Sequence, residues 1–212
     1  MRKPWSSLLV SFLIGQKVSS TVIEECPADR LLGASIDEVL QSMGLTEWDA
    51  VIFTDGSGTG WDMGGGFAAV VSTRSGTRTL CYGGLSHSTV SVSELSAILY
   101  SLLWYESNIP ATVGRKPVVH IFSDSQTTVV GVGRGAAQAK ASSTIPLWAA
   151  IRTIGLKLNL NYHWLPRSTT ALNKICDWIA GTARKQMEAI PVKEMLPDNL
   201  LYSCNPIHKA AT

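Results

Sequence analysis

Runs of apolar residues and their spacing divide the chain into strands and helices. Three apolar runs with short polar or glycine-rich connections predict an antiparallel meander, and two later runs predict further strands. The predicted strands are residues 50–55, 67–71, 78–84, 117–124 and 158–164. The predicted helices begin near Ser93 and span 126–132, 146–156 and 173–186. The order β-β-β-α-β-α-α-β-α predicts an α/β fold with a central mixed five-stranded sheet (three antiparallel strands, then parallel strands) flanked by helices.

The segments on either side of this pattern carry no obvious chemistry. A short helix is predicted at 35–43, with Ser35 as its N-cap and Gly44 as its stop. The predicted parts of the chain are an N-terminal extension of unknown role (1–47), one main domain (48–187) and an extended C-terminal tail (188–212).

The first residues imitate the start of a secretory signal, with Arg2 and Lys3 before the apolar run 8–14. That run is too short to span a bilayer, and no clean small-residue cleavage motif follows it. The four cysteines are scattered without a C-x-x-C pair, which favours a reduced chain over a structural zinc site. We therefore expect an intracellular protein, cytoplasmic or nuclear, without a signal peptide or membrane association.

Length and charge narrow the class of protein. With 212 residues, 45% of them hydrophobic, the chain can bury one good core. Charged residues make up only 16%, and the formal net charge is +2. This balance excludes nucleic-acid binding by bulk electrostatics, so any such binding has to rest on locally placed Lys and Arg side chains.

Two predicted strands end in a carboxylate. Asp55 follows the first strand and precedes Gly56, and Asp124 follows the fourth strand between Ser123 and Ser125. If the two strands are neighbours, both carboxylates lie at one edge of the sheet, where their repulsion calls for a cation. The sequence thus predicts a hard-metal site, although an Asp before Gly is also an ordinary turn residue.

Two further acids lie on predicted helices. Glu94 is expected in the first turn of the helix that begins at Ser93, and Asp177 in the second turn of the last helix, away from its apolar stripe. Taken alone, Glu94 could be a partner of the helix dipole and Asp177 a solvated surface charge.

Together these acids stand in short motifs whose order resembles that of type 1 ribonuclease H, including retroviral and retrotransposon RNase H domains. The motifs are Thr-Asp-Gly-Ser at 54–57, Gly-Gly-Gly-Phe-Ala at 64–68, Glu-Leu-Ser-Ala-Ile at 94–98, Ser-Asp-Ser at 123–125, Pro-Leu-Trp at 146–148, His-Trp-Leu-Pro at 163–166 and Asn173-x-x-x-Asp177. They cover roughly residues 48–187. The resemblance implies the RNase H-like fold and an endonuclease that cuts the RNA strand of RNA–DNA hybrids.

The resemblance also implies a set of metal ligands. Asp55 would bridge two Mg²⁺ (or Mn²⁺) ions, Glu94 and Asp124 would each complete one site, and Asp177 would help to hold the ion beside the attacking water. The implied products are a 5′-phosphate and a 3′-hydroxyl. Substrate choice would come from sensing 2′-hydroxyls on one strand and the deoxy sugar on the other.

Contacts to phosphate or sugar are predicted more weakly. The candidates are Ser57, Thr89, Ser91, Ser125, Arg167 and Asn173. Isolated hydroxyls are more often partners of the local backbone.

The chain departs from the family pattern in three places. Arg167 lies six residues before Asn173, where the family often places a mobile histidine, and a guanidinium cannot act as a base at neutral pH. The family's paired asparagines before the catalytic Glu are Val90 and Ser91 here. A basic hybrid-binding helix is absent, since only Arg134 and Lys140 carry positive charge in that region. These departures predict modest hybrid affinity, and a polymerase or reverse transcriptase domain is a candidate partner.

Three alternatives remain open from the sequence. The same fold serves resolvases, integrases and exonucleases that act on DNA. A catalytically weak RNase H-like module could serve as a nucleic-acid clamp, although such modules usually lose one of the acids. A general α/β domain with accidental carboxylates is the third.

Overall fold

In a computed structural model of the chain, the described residues are 18–19, 36–60, 63–86, 88–110, 114–134, 144–189 and 203–207. The signal-like stretch at 2–14, the predicted N-cap Ser35 and Lys140 lie outside them.

Within the described residues, seven strands form one sheet. They are β1 (Val18–Ser19), β2 (Ala50–Gly58), β3 (Gly65–Thr73), β4 (Arg78–Leu85), β5 (Val118–Ser123), β6 (Asn159–Trp164) and β7 (Ser203–Ile207). The five longest run in the order β4-β3-β2-β5-β6. The meander β2-β3-β4 is antiparallel. β5 pairs parallel with β2, and β6 pairs parallel with β5. The predicted mixed five-stranded sheet is confirmed.

The two remaining strands lengthen the sheet at its β4 edge. β7 pairs antiparallel with β4 over residues 78–82, and β1 pairs with residues 84–85 of the same strand. Both strands come from segments predicted to flank the main domain. They continue its sheet instead of forming a separate unit.

Five helices accompany the sheet in the described part of the chain. They are α1 (Asp37–Ser42), α2 (Val90–Asn108), α3 (Gln126–Arg134), α4 (Ile145–Gly155) and α5 (Ala171–Ala189). Side chains of α2 and α4 pack on one face of the sheet around Ile52, Phe67 and Ile121. Side chains of α1 and α5 pack on the other face around Phe53 and Phe122. The sheet is therefore buried on both faces, which explains its continuous apolar strands.

The predicted helix starts differ from the observed ones by up to three residues. α2 begins at Val90, three residues before Ser93, because Thr89 caps it by accepting a hydrogen bond from the Val92 amide at 3.3 Å. α1 has Ile36 at its N-cap position without a side-chain cap. Its predicted stop is confirmed: Gly44 adopts φ 65°, and the Leu45 amide donates to the Leu40 carbonyl at 2.8 Å.

Among the described helices, none combines the length and apolar character needed to cross a membrane.

Candidate active site

The pairing of β2 with β5 brings two acids to the same end of the sheet. Thr54 lies opposite Ser123 in the parallel register, so Asp55, inside β2, and Asp124, directly after β5, lie side by side. The predicted end of the first strand at residue 55 is wrong, because β2 stays paired with β3 as far as Gly58. The Thr54 hydroxyl donates to the Phe122 carbonyl at 3.3 Å and ties the two strands together just below the acids. The prediction that these strands are neighbours is confirmed.

Glu94 reaches the same place because β2 and α2 approach each other very closely at Gly56. A Cβ atom on Gly56 would lie 2.3 Å from the Glu94 nitrogen, a separation that no side chain tolerates. Glu94 is the fifth residue of α2 and not in its first turn, which contains no acidic residue. The helix dipole therefore does not account for its position, whereas the contact with β2 does.

Asp55, Glu94 and Asp124 form a compact acidic cluster. One carboxylate oxygen from each lies within 4.8 Å of the others. Asp55 is 5% exposed and Glu94 is 3% exposed. The Ser123 hydroxyl donates to Glu94 Oε2 at 3.4 Å. We call these three residues the carboxylate cluster.

Burial and mutual repulsion favour the protonated forms of Asp55 and Glu94. Burial, with the charges of Asp124 and Asp177, raises the pKa of Asp55 to about 8. Burial, with the charges of Asp55 and Asp124, raises the pKa of Glu94 well above its usual value. The Gly56 amide opposes both shifts by hydrogen bonding to the carboxylates. A bound cation would relieve the repulsion that remains.

Asp177 stands at the rim of the cluster. Its side chain is 41% exposed, and Oδ1 accepts a hydrogen bond from Arg167 Nη2. Arg167 Nε also lies 3.9 Å from Asp124 Oδ2. The structure thus joins the fourth predicted acid to the site through Arg167.

A tryptophan supports the cluster from the side. Trp164, at the end of β6, donates a hydrogen bond from Nε1 to the Asp124 carbonyl at 3.0 Å. Because the two residues are distant in the chain, this contact could not be inferred from sequence patterns.

The weaker candidates have local partners. Ser57 Oγ accepts from Arg184 Nε at 3.0 Å, and Thr89 is the N-cap of α2. Ser125 Oγ donates to Thr128 Oγ1 at 2.8 Å. Asn173 is buried at the start of α5, where its Oδ1 accepts from the Thr170 hydroxyl at 2.9 Å. Ser91 is exposed. Their contacts to substrate stay predictions.

His163 lies on β6, as expected, and pairs away from the acids. Its Nε2 is 2.8 Å from His120 Nδ1, while His120 Nε2 is 2.9 Å from the Glu47 carbonyl. Since a carbonyl only accepts, His120 Nε2 carries a hydrogen, and in a neutral His120 ring Nδ1 then accepts from His163. The pair links β5, β6 and the segment before β2.

The chemistry of the site suits a hard divalent cation. It offers carboxylate oxygens without sulfur ligands, and its outer side opens to Asp177, so that solvent can complete the coordination. The residues present therefore fit Mg²⁺ or Mn²⁺.

No protein-family model matches the chain, and no curated protein matches it. Solved structures do. The chain is similar to the N-terminal RNase H domain of a Mycobacterium tuberculosis protein, with 21% identity over 65% of this chain and 94% of that one and a TM-score of 0.53. It is also similar to LC11-RNase H1, isolated from compost by a metagenomic approach, with 22% identity over 65% and 96% of the two chains and a TM-score of 0.53.

A further similar structure is LC9-RNase H1, described as a type 1 RNase H with the type 2 active-site motif. It shares 17% identity over 67% of this chain and 74% of that one, with a TM-score of 0.55. Sheet order and helix placement thus define an RNase H-like α/β fold. More narrowly, the fold is that of type 1 ribonuclease H.

Proposed function

We propose that the chain is a metal-dependent endoribonuclease that hydrolyses the RNA strand of RNA–DNA hybrids. The observation that carries the proposal is the carboxylate cluster just beyond the last paired residues of β2 and β5, in the type 1 ribonuclease H fold. LC11-RNase H1, which shares this fold, has been solved in complex with an RNA/DNA hybrid. The products would be a 5′-phosphate and a 3′-hydroxyl.

Each carboxylate has a role set by its position. Asp55, close to both Glu94 and Asp124, would bridge two ions, and its neighbours would each complete one site. Asp177 at the exposed rim would help to hold the ion nearest to solvent. Two bound Mg²⁺ or Mn²⁺ ions, about 4 Å apart, would supply a hydroxide nucleophile and stabilise the leaving 3′-oxygen.

Two of the carboxylates would also release protons when metal binds. Asp55 and Glu94 hold protons in the free site because burial and repulsion raise their pKa values. They would release them when cations bind, since only the ionised carboxylates are good ligands. Arg167 carries a permanent charge and would not accept a proton from water at neutral pH.

Recognition of the hybrid would use shape and sugar chemistry, without reading of base sequence. The candidate contacts lie in or near the elements that carry the acids; they are Ser57, Thr89, Ser91, Ser125, Arg167 and Asn173. The weak overall positive charge favours modest affinity, and a polymerase or reverse transcriptase domain is a candidate partner.

The test is cleavage of an end-labelled RNA–DNA hybrid by the purified chain, with and without Mg²⁺ or Mn²⁺. Asp124→Asn is the matched variant, because it keeps the side-chain shape and removes the charge. We expect metal-dependent cutting of the RNA strand only, lost in the variant. Cleavage of duplex DNA or of branched DNA in place of the hybrid would point to the DNA-cutting relatives of this fold. Hybrid binding by the folded wild-type chain without cleavage would point to a clamp.

A further inference from the structure

Arg167 faces the metal site from its solvent side. Its guanidinium pairs with Asp177 through Nη2 and approaches Asp124 through Nε at 3.9 Å. The charges of Asp177, Asp55 and Asp124 all raise its pKa. One cation thus spans the edge between the carboxylate cluster and Asp177, where an incoming divalent ion would bind.

The loop that carries Arg167 is built tightly. Ser168 has φ 60°, the only positive φ at a non-glycine residue in the described part of the chain. The Thr169 amide donates to the Pro166 carbonyl at 3.2 Å, and the Leu165 amide donates to the Ser123 carbonyl at 3.0 Å. Backbone strain of this kind persists where surrounding contacts hold it and is common at functional sites. The turn therefore keeps the Arg167 backbone beside β5, although its side chain is 71% exposed.

We propose that Arg167 is a tethered counter-ion that divalent metal displaces from the Asp124–Asp177 edge, and that the displaced guanidinium then binds a phosphate of the substrate. An arginine competes with metal at every physiological pH because it does not deprotonate. Its planar fork matches a phosphate as well as a carboxylate. The same residue thus lowers metal affinity in the free protein and contributes to hybrid affinity in the loaded one.

Metal displacement and the phosphate contact depend on the proposed function to different degrees. Displacement by metal requires only that the site binds a divalent ion. The phosphate contact requires that a nucleic acid binds there. Direct binding measurements separate both from cleavage.

The first experiment is a calorimetric titration of the full chain with Mn²⁺, comparing wild type with Arg167→Ala, Arg167→Lys and Arg115→Ala. Arg115 is the matched control because it forms a bidentate ion pair with Asp49. Asp49 precedes β2 and therefore lies at the end of that strand away from the carboxylate cluster. We expect about two- to fivefold tighter Mn²⁺ binding in Arg167→Ala, since an exposed competing ion pair is lost. Arg167→Lys should lie between Arg167→Ala and wild type, and Arg115→Ala should match wild type.

The second experiment measures hybrid affinity in Ca²⁺, by fluorescence anisotropy of a labelled RNA–DNA duplex. Arg167→Ala should bind the hybrid about two- to tenfold more weakly than wild type, in the opposite direction to its metal affinity. Equal or weaker Mn²⁺ binding by Arg167→Ala would overturn the counter-ion role. Unchanged hybrid affinity would overturn the phosphate contact. If wild type bound no Mn²⁺ at all, the proposed two-metal function would fall as well.

Discussion

The indole Nε1 of Trp164 donates a hydrogen bond to the backbone carbonyl of Asp124 at 3.0 Å. This bond connects the end of β6 to the acid that follows β5, and it fixes the peptide from which the Asp124 carboxylate extends. Half of the indole is exposed, so its contribution to the core is smaller than that of a buried tryptophan. Its main effect is on the position of Asp124.

Replacing Trp164 with Phe should weaken metal binding more than folding. The change keeps an aromatic side chain but removes the pyrrole part of the indole, and with it the Nε1 donor. The lost hydrogen bond costs about 0.5–1.5 kcal/mol. We expect Mn²⁺ affinity and kcat to fall about two- to tenfold, with little change in hybrid affinity. Trp178→Phe is the matched control because Trp178 is 45% exposed and Trp164 is 46% exposed. Equal losses in both variants would contradict the assignment.

A methyl group at Gly56 should disrupt the site and the fold together. Gly56→Ala places a carbon 2.3 Å from the Glu94 backbone nitrogen, so β2 and α2 have to separate. Overpacking of this kind costs about 1–3 kcal/mol in unfolding free energy, and the separation moves Asp55 away from Glu94. Urea denaturation and Mn²⁺ titration would measure both effects.

Gly181→Ala is the control for that variant. A Cβ atom at Gly181 on α5 meets nothing within 4 Å, so the helix should gain up to about 1 kcal/mol. A destabilised Gly181→Ala would show that the loss in Gly56→Ala is not specific to the close approach.

The stability of the metal-free protein should fall as the pH rises toward 8. The pKa of Asp55 increases from 3.8 to about 8 on folding, so the folded state binds more protons than the unfolded state between these values. The contribution of Asp55 is fully present below pH 3.8 and is lost as the pH rises through 8. Asp55→Asn should therefore stabilise the metal-free chain at pH 8, by on the order of 1–3 kcal/mol. Thermal unfolding in a chelator at pH 6 and pH 8 measures this difference.

The histidine pair should give a pH dependence of opposite sign. Burial and the neighbouring His120 lower the pKa of His163 below 6.5, so the unfolded state binds more protons in the window beneath that value. Its contribution to stability is present above pH 6.5 and is lost as the pH falls through the folded pKa. In His163→Gln the part of the pH dependence below pH 6.5 that stems from this residue should disappear, as urea titrations at several pH values would reveal. An unchanged slope would contradict the role of His163.

The sequence predicted the five central strands and singled out Asp55 and Asp124 because those features are local: an apolar run leads up to each acid. It ended the first strand too early, since the small polar residues after Asp55 still pair with β3. It misplaced the start of α2 because Val90 and Ser91 are exposed, so apolar periodicity begins only with Val92.

Contacts between distant segments could not be derived from sequence patterns. The approach of Gly56 to Glu94, the bond from Trp164 to Asp124 and the pairing of His120 with His163 all depend on how separate elements pack. The sequence did not predict β7 or its pairing with β4, because Pro206 and the polar residues around it do not form a strand-like pattern.

The pairing along the outer side of β4 has a practical consequence for handling the protein. β7 and β1 occupy the backbone N–H and C=O groups on that side of β4. A preparation trimmed to residues 48–187 would leave this row of groups open to neighbouring molecules, and open edges are templates for aggregation. If the trimmed protein precipitates at high concentration, the cause would be edge-to-edge association of folded molecules. Adding a peptide that spans residues 203–207 should then slow the precipitation.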